Sequence, residues 1–92
     1  MIRLVVPALW FFDYLDRLGS EVDPNKDRIL ICRGRGKSVE IEVHPDVLKD
    51  MKSDALHYAG GTVANGWDEG AIPYCRSAAR ALKAINACTV EN

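Results

Sequence analysis

The chain has no long hydrophobic run and no strong excess of charge of one sign, and both absences exclude functions. Its longest apolar stretch, from Leu4 to Phe12, ends at Asp13 and is too short to span a bilayer. No small-residue cleavage site follows it, so we expect neither a secretory signal nor a membrane partner. The net charge of −1 gives no overall attraction to nucleic acid, so any such attraction must be local.

Cysteine is scarce and odd in number, and Cys32, Cys75 and Cys88 show no paired spacing. Secreted disulfide scaffolds of this size usually carry even, denser sets, so we expect a reducing, cytoplasmic location. Structural zinc sites need close ligand pairs, such as two cysteines separated by two residues. Because neither the cysteines nor His44 and His57 provide such a pair, we expect no metal and no cofactor.

The 92 residues suit one small domain, 1–92, and its turn residues predict an α+β fold. The apolar stretch at the N-terminus is interpreted as a buried helix start with a short extended lead-in. Proline at a first helical turn and glycine after a last one mark the helix bounds. We therefore expect an N-terminal helix, a β-hairpin, and two helices packed on a small antiparallel sheet: Pro7–Gly19, Arg28–Val43, Pro45–Gly61 and about Pro73–Cys88.

Helical periodicity predicts which side chains of the last two helices face the core. In the second helix the inward positions are Leu48, Met51, Ala55 and Tyr58. In the third they are Cys75, Ala78, Ala79, Leu82 and Ile85. The third helix is then expected to turn its basic side chains outward, namely Arg76, Arg80 and Lys83.

The hairpin is the most informative part of the chain. Val39, Ile41 and Val43 alternate with polar residues, which is typical of a strand exposed on one face. Gly34-Arg35-Gly36-Lys37 predicts the turn, and an outer strand of such a sheet can bind another chain. The turn region carries three cations with no acid between them, and the second strand carries two outward acids: Arg33, Arg35, Lys37, Glu40 and Glu42.

The segment Gly34–Ser38 ends like a phosphate-binding loop, but the rest of that motif is missing. The motif needs a glycine where Ile31 stands, and it needs a helix to follow. A strand pattern follows instead. The segment is therefore interpreted as a glycine turn with solvated cations.

Other residues allow more than one interpretation. Asp46, Asp50 and Asp54 share one helix face, which is either solvated or a docking surface for a basic partner. Trp67, in a glycine-rich loop, is either a plug over the core or an exposed anchor for a partner. Cys75 lies near a helix start, but its apolar position favours a small buried residue over a nucleophile. No catalytic residue is assigned.

The pattern Tyr14–Gly19, Val22, Asp27–Ile31 and Val47-Leu48 resembles the TubC-type N-terminal docking domain, over about residues 11–56. The resemblance implies a leucine-rich first helix, a hairpin opened by an Asp-Arg-Leu-like step, and helices after it. It also implies that the C-terminal tail of a neighbouring synthase adds to the hairpin's edge. This chain departs from the family in its longer second strand and its loop at 60–70.

We therefore predict a non-enzymatic protein-binding module, acting either as a docking adaptor or as a steric inhibitor. One form of the inhibitor hypothesis is an anti-CRISPR-like protein of a phage or other mobile element. The alternative is a small nucleic-acid-binding accessory protein that uses Arg76, Arg80 and Lys83. The residues predicted to contact a protein partner are Arg33, Arg35, Lys37, Glu40, Glu42, Asp46, Asp50, Asp54 and Trp67.

Overall fold

A computed structural model describes residues 1–18, 26–61 and 71–88. The fold is α+β, as predicted: three helices pack against a three-stranded antiparallel sheet. A short 3-10 turn precedes the hairpin at Lys26–Arg28. In chain order the other elements are β1 (Ile2–Pro7), α1 (Ala8–Arg17), β2 (Ile29–Arg35), β3 (Ser38–Val43), α2 (Pro45–Gly61) and α3 (Ile72–Cys88).

The N-terminal stretch has the extended lead-in that was expected before the first helix, but this lead-in is a full strand of the sheet, which the sequence did not predict. β1 pairs antiparallel with β3, with Leu4 opposite Ile41. Leu4 and Val6 are buried while Val5 is exposed, which is the alternation of a strand with one covered face. Pro7 ends the strand in an extended conformation and caps α1. The strand order is therefore β1-β3-β2, with β3 in the centre.

The hairpin is confirmed, with a shorter turn than the four residues predicted. Arg35 pairs with Ser38, so only Gly36 and Lys37 form the turn. Gly36 has φ +64°, which fits a type II′ turn with glycine at its first central position. The backbone N–H of Ala8 donates to the Lys37 carbonyl at 2.9 Å, and this bond ties the turn to the start of α1.

The start of α2 is fixed by the residue that precedes it. The backbone N–H groups of Val47 and Leu48 donate to the His44 carbonyl, at 2.9 and 3.1 Å. The imidazole Nδ1 of His44 accepts a further hydrogen bond from the N–H of Asp46 at 3.1 Å. Pro45 stands at the first helical position, where its missing N–H costs nothing.

The helices cover one face of the sheet, and a hydrophobic core lies between them and the sheet. The predicted inward positions of α2 are confirmed, with Tyr58 only partly buried. In α3 the prediction is wrong at Ala79, which is exposed, whereas Ala81 is buried. Ala81 lies three residues from Ala78 and four from Ile85, so it belongs to their stripe while Ala79 lies beside it.

The three cysteines are free thiols: Cys75 is buried, and Cys32 and Cys88 are partly buried. Among the described helices, none combines the length and the apolar character needed to cross a bilayer.

Candidate functional site

One side of β2 is unpaired by any strand of the described residues, because β2 is the last strand of the sheet. We call this side the β2 edge. Leu30 and Ile31 on it are 55% and 46% exposed. Ile31 lies opposite Ile41, whose side chain is in the core, so Ile31 points to the helix side of the sheet yet stays exposed. The edge therefore offers backbone hydrogen-bonding groups beside apolar side chains.

A bulge interrupts β2 between Ile31 and Arg33, where the pairing register shifts at Cys32. Arg33 then lies opposite Glu40, and Arg35 lies opposite Ser38. Both arginines are thus placed on the solvent face of the sheet, together with the outward residues of β3. A bulge increases the local twist of an edge strand, which limits indiscriminate pairing with other strands.

The two acids of β3 are already neutralised on this solvent face. Arg3 of β1 contacts Glu40 at 3.1 Å and Glu42 at 2.8 Å, and Arg35 approaches Glu40 at 3.9 Å. The hydrogen bond to Glu42 raises the pKa of Arg3. Among the described residues the structure shows no ion-pair partner for Arg33. The solvent face therefore carries a surplus of positive charge toward the hairpin turn.

The aspartate row of α2 is engaged mainly by α1, which sequence reasoning missed. Trp10 Nε1 donates to Asp54 at 2.9 Å, and the Tyr14 hydroxyl donates to Asp50 at 2.6 Å. The rings of Trp10 and Tyr14 stack with their centroids 5.3 Å apart. The sequence contained a signal for this contact. Trp10 and Tyr14 are four residues apart, as are Asp50 and Asp54, and residues at this spacing lie on the same face of a helix. Asp46 is solvent-exposed and lies 3.6 Å from both Arg28 and His44.

Arg17 closes the contact between α1 and α2. Its guanidinium forms ion pairs with Asp13 and Asp54 and lies over the Tyr58 ring, 4.2 Å from the centroid. Burial lowers the pKa of Arg17, but hydrogen bonding, with Asp54 first, outweighs it and raises the pKa overall. Asp54 is only 17% exposed. It is thus largely committed to internal contacts, which leaves less of the acidic row for a partner.

Burial raises the pKa of the nearby Tyr74 phenol. Its hydroxyl oxygen is buried and has no hydrogen-bond partner within the described residues. The Tyr74 ring packs edge-on against Tyr58, with centroids 5.4 Å apart. Tyr74 therefore serves the packing of α2 against α3 with its ring, and its hydroxyl interacts electrostatically with Arg17 and Asp13 without a hydrogen bond of normal geometry.

The basic residues that lie far apart in the sequence meet at one groove of about 570 Å³, which we call the basic groove. Its cations are Lys37 of the hairpin turn and Arg76 and Arg80 of α3. Lys83, which the sequence groups with these arginines, does not line it. The apolar surface of the groove comes from the start of α1 and the start of α3, chiefly Pro7, Leu9 and Pro73.

The other predicted site residues are placed as follows. Trp67 lies outside the described residues. Cys75 is 4% exposed, and His57 packs edge-on against Tyr58. No group of three side chains of the metal-ligating types occurs within the described ranges. The surfaces that stand out are the β2 edge and the basic groove, and both have the chemistry of binding.

Comparisons with known proteins add no relative. No protein-family model, curated protein or solved structure matches this chain. The resemblance to a TubC-type docking domain therefore stays a prediction from the residue pattern.

Proposed function

We propose that this protein is a non-enzymatic binding module that takes an extended segment of a partner protein onto the β2 edge. The observation that carries the proposal is the terminal position of β2, with Leu30 and Ile31 exposed beside its backbone. Strand addition of this kind draws affinity from backbone hydrogen bonds and specificity from alternate side chains. The action is steric, and no covalent bond of the partner changes.

Arg33 and Arg35 give the interaction its direction. Both lie on the solvent face at the turn end of β2, where Arg33 has no ion-pair partner within the described residues. Acidic side chains at the corresponding end of the partner segment would meet these cations. Charge placed in this way favours one register and speeds encounter, and its reversal would set like charges against each other and repel the partner segment.

Partner capture tests the proposal. The tagged chain is used to isolate binding partners from its native cell, and the partners are identified by mass spectrometry. Three forms of the chain are compared: the wild type, the double variant Leu30→Lys with Ile31→Lys, and Leu56→Lys. Leu56 is a matched control because it is 58% exposed, much like Leu30, but lies on α2 away from the β2 edge.

We expect the double variant to lose the captured protein and Leu56→Lys to retain it, with all forms showing similar thermal midpoints. Equal capture by the wild type and the folded double variant would exclude the β2 edge as the site. An activity assay on the identified partner then separates a docking adaptor from a steric inhibitor.

A further inference from the structure

We propose that the basic groove holds an acidic segment of the partner protein, with carboxylates on its cations and an apolar side chain against its apolar wall. This inference rests on the proposed function, since it gives a second contact to the same partner and names its chemistry. The occupant is a peptide carrying both glutamate or aspartate and a large aliphatic residue. Three observations lead to it.

The first observation is uncompensated positive charge. Lys37, Arg76 and Arg80 are exposed, and within the described residues the structure gives none of them an ion-pair partner. Among the described residues, no acid lines the groove. Arg76 and Arg80 are four residues apart on α3, where like charges repel. A carboxylate between them relieves that repulsion, and guanidinium groups match its two oxygens.

The second observation is the apolar surface beneath these cations. Leu9 is 56% exposed, and Pro7 and Pro73 line the groove beside it. The volume of about 570 Å³ lies within the range of ligand-binding pockets. An aliphatic side chain placed there removes apolar surface of both molecules from water, which is favourable.

This surface also favours a peptide over a nucleic acid. Grooves for single-stranded nucleic acid usually combine cations with aromatic rings on which bases stack. Within the ranges that the structure describes, no aromatic side chain lines the basic groove. A phosphate backbone could satisfy the cations but would leave the apolar wall uncovered.

The third observation is that the groove lies at the hairpin-turn end of the sheet, the end at which β2 also terminates. Arg35 ends β2, and Lys37, two residues later, lines the groove. The hydrogen bond from the Ala8 N–H to the Lys37 carbonyl holds the turn against the start of α1, so this side of the groove is formed before binding. One partner can therefore occupy the β2 edge and continue into the groove, and a preformed wall lowers the ordering cost of binding.

Calorimetric titration of the full chain tests the inference with defined probes. The main probe is a short blocked peptide of glutamate and leucine. The comparison probes are the same peptide with glutamine for glutamate, the same peptide with serine for leucine, and a single-stranded oligodeoxynucleotide of equal charge. The protein is used as wild type, as Arg76→Glu with Arg80→Glu, and as Lys83→Glu. Lys83 is the matched control, an exposed cation of the same helix outside the groove.

We expect saturable binding of the glutamate-leucine peptide, weakened about tenfold or more by the double reversal and less than about twofold by Lys83→Glu. Both substituted peptides should bind more weakly. The inference is overturned by the absence of saturable binding, by equal weakening in Lys83→Glu, or by tighter binding of the oligodeoxynucleotide with the same loss in the double reversal.

The failures of the two proposals can be told apart. The Leu30→Lys, Ile31→Lys variant should bind the glutamate-leucine peptide as the wild type does, because neither substitution lies in the groove. A groove that binds the peptide while the β2 edge captures nothing would refute the proposed function alone. Loss of the native partner in the edge variant, with no peptide bound by the wild type, would refute the groove alone.

Discussion

Replacing Asp54 by alanine should destabilise the protein markedly, because two side chains of α1 depend on its carboxylate. Trp10 is fully buried, and its indole N–H donates to Asp54 at 2.9 Å. Without the acceptor this donor is left unsatisfied, at a cost of about 1–3 kcal/mol. Arg17 also loses an ion pair, worth roughly 0.5–1 kcal/mol at a side chain that is a quarter exposed and keeps Asp13 as a partner.

The expected loss is therefore about 1.5–4 kcal/mol of unfolding free energy. In a chain of 92 residues each kcal/mol moves the thermal midpoint by about 4–8 °C, so a fall of roughly 6–32 °C is expected. Asp54→Asn should cost less, since the amide oxygen still accepts from Trp10. Asp16→Ala is the matched control, because Asp16 is an exposed aspartate without an ion pair among the described residues, and it should change stability by less than about 0.5 kcal/mol.

Chemical denaturation followed by tryptophan fluorescence and circular dichroism measures these free energies. A double-mutant cycle with Trp10→Phe isolates the hydrogen bond, because Asp54→Ala should cost less by about 1 kcal/mol or more when the indole N–H is already absent. The reasoning is refuted if Asp54→Ala is as stable as Asp16→Ala, or if the cycle shows no coupling.

Three further predictions concern other parts of the molecule. Tyr74→Phe should leave stability unchanged or raise it by up to about 1–2 kcal/mol, because it removes a buried hydroxyl that has no partner in the described residues. Because the pKa of Tyr74 is raised in the folded state, its ionisation does not reduce the free energy of unfolding below about pH 10, and does so increasingly as the pH rises toward the folded-state pKa. The free energy of unfolding measured at alkaline pH should therefore depend less on pH in Tyr74→Phe than in the wild type. Gly36→Ala should lower the free energy of unfolding by about 1–2 kcal/mol, because the backbone at Gly36 has φ +64°. Gly34→Ala is the control: this position has open space and no positive φ, so thermal denaturation should show almost no change. Reversing charge at Arg33, Arg35 and Lys37 together should abolish partner capture with the fold intact by circular dichroism, and unchanged capture would exclude the hairpin cations from the site.

The parts of the fold that sequence alone predicted are those decided by neighbours along the chain. The alternation of Val39, Ile41 and Val43 and the start of α2 at Pro45 each depend on a few adjacent residues. The strand β1 escaped prediction because its partner lies in β3, and a continuous apolar run is compatible with helix or strand. Ala79 and Ala81 are chemically the same, so only the packed neighbour distinguishes them.

In the candidate site, too, the features set by neighbouring residues were predictable and those set by distant residues were not. The hairpin and its cations were visible in the sequence, because glycine placement and alternation mark them. The basic groove was not, since Lys37 and Arg76 are far apart in the sequence and meet only after α3 packs beside β1. Likewise nothing local to Asp54 indicates Trp10, and the row of aspartates looked solvated until α1 was placed against it.

The order β1-β3-β2 also has a consequence for how the chain folds. The hairpin closes through a two-residue turn, an event of microseconds, whereas β1 must join residues such as Ile2 and Val43 that are far apart in the sequence. In a chain whose hairpin forms before β1 docks, both outer sides of the hairpin are unpaired. The docking of the N-terminus removes one of these two edges. The pairing of β1 with β3 therefore leaves the β2 edge, with Leu30 and Ile31, as the unpaired side of the hairpin in the folded protein.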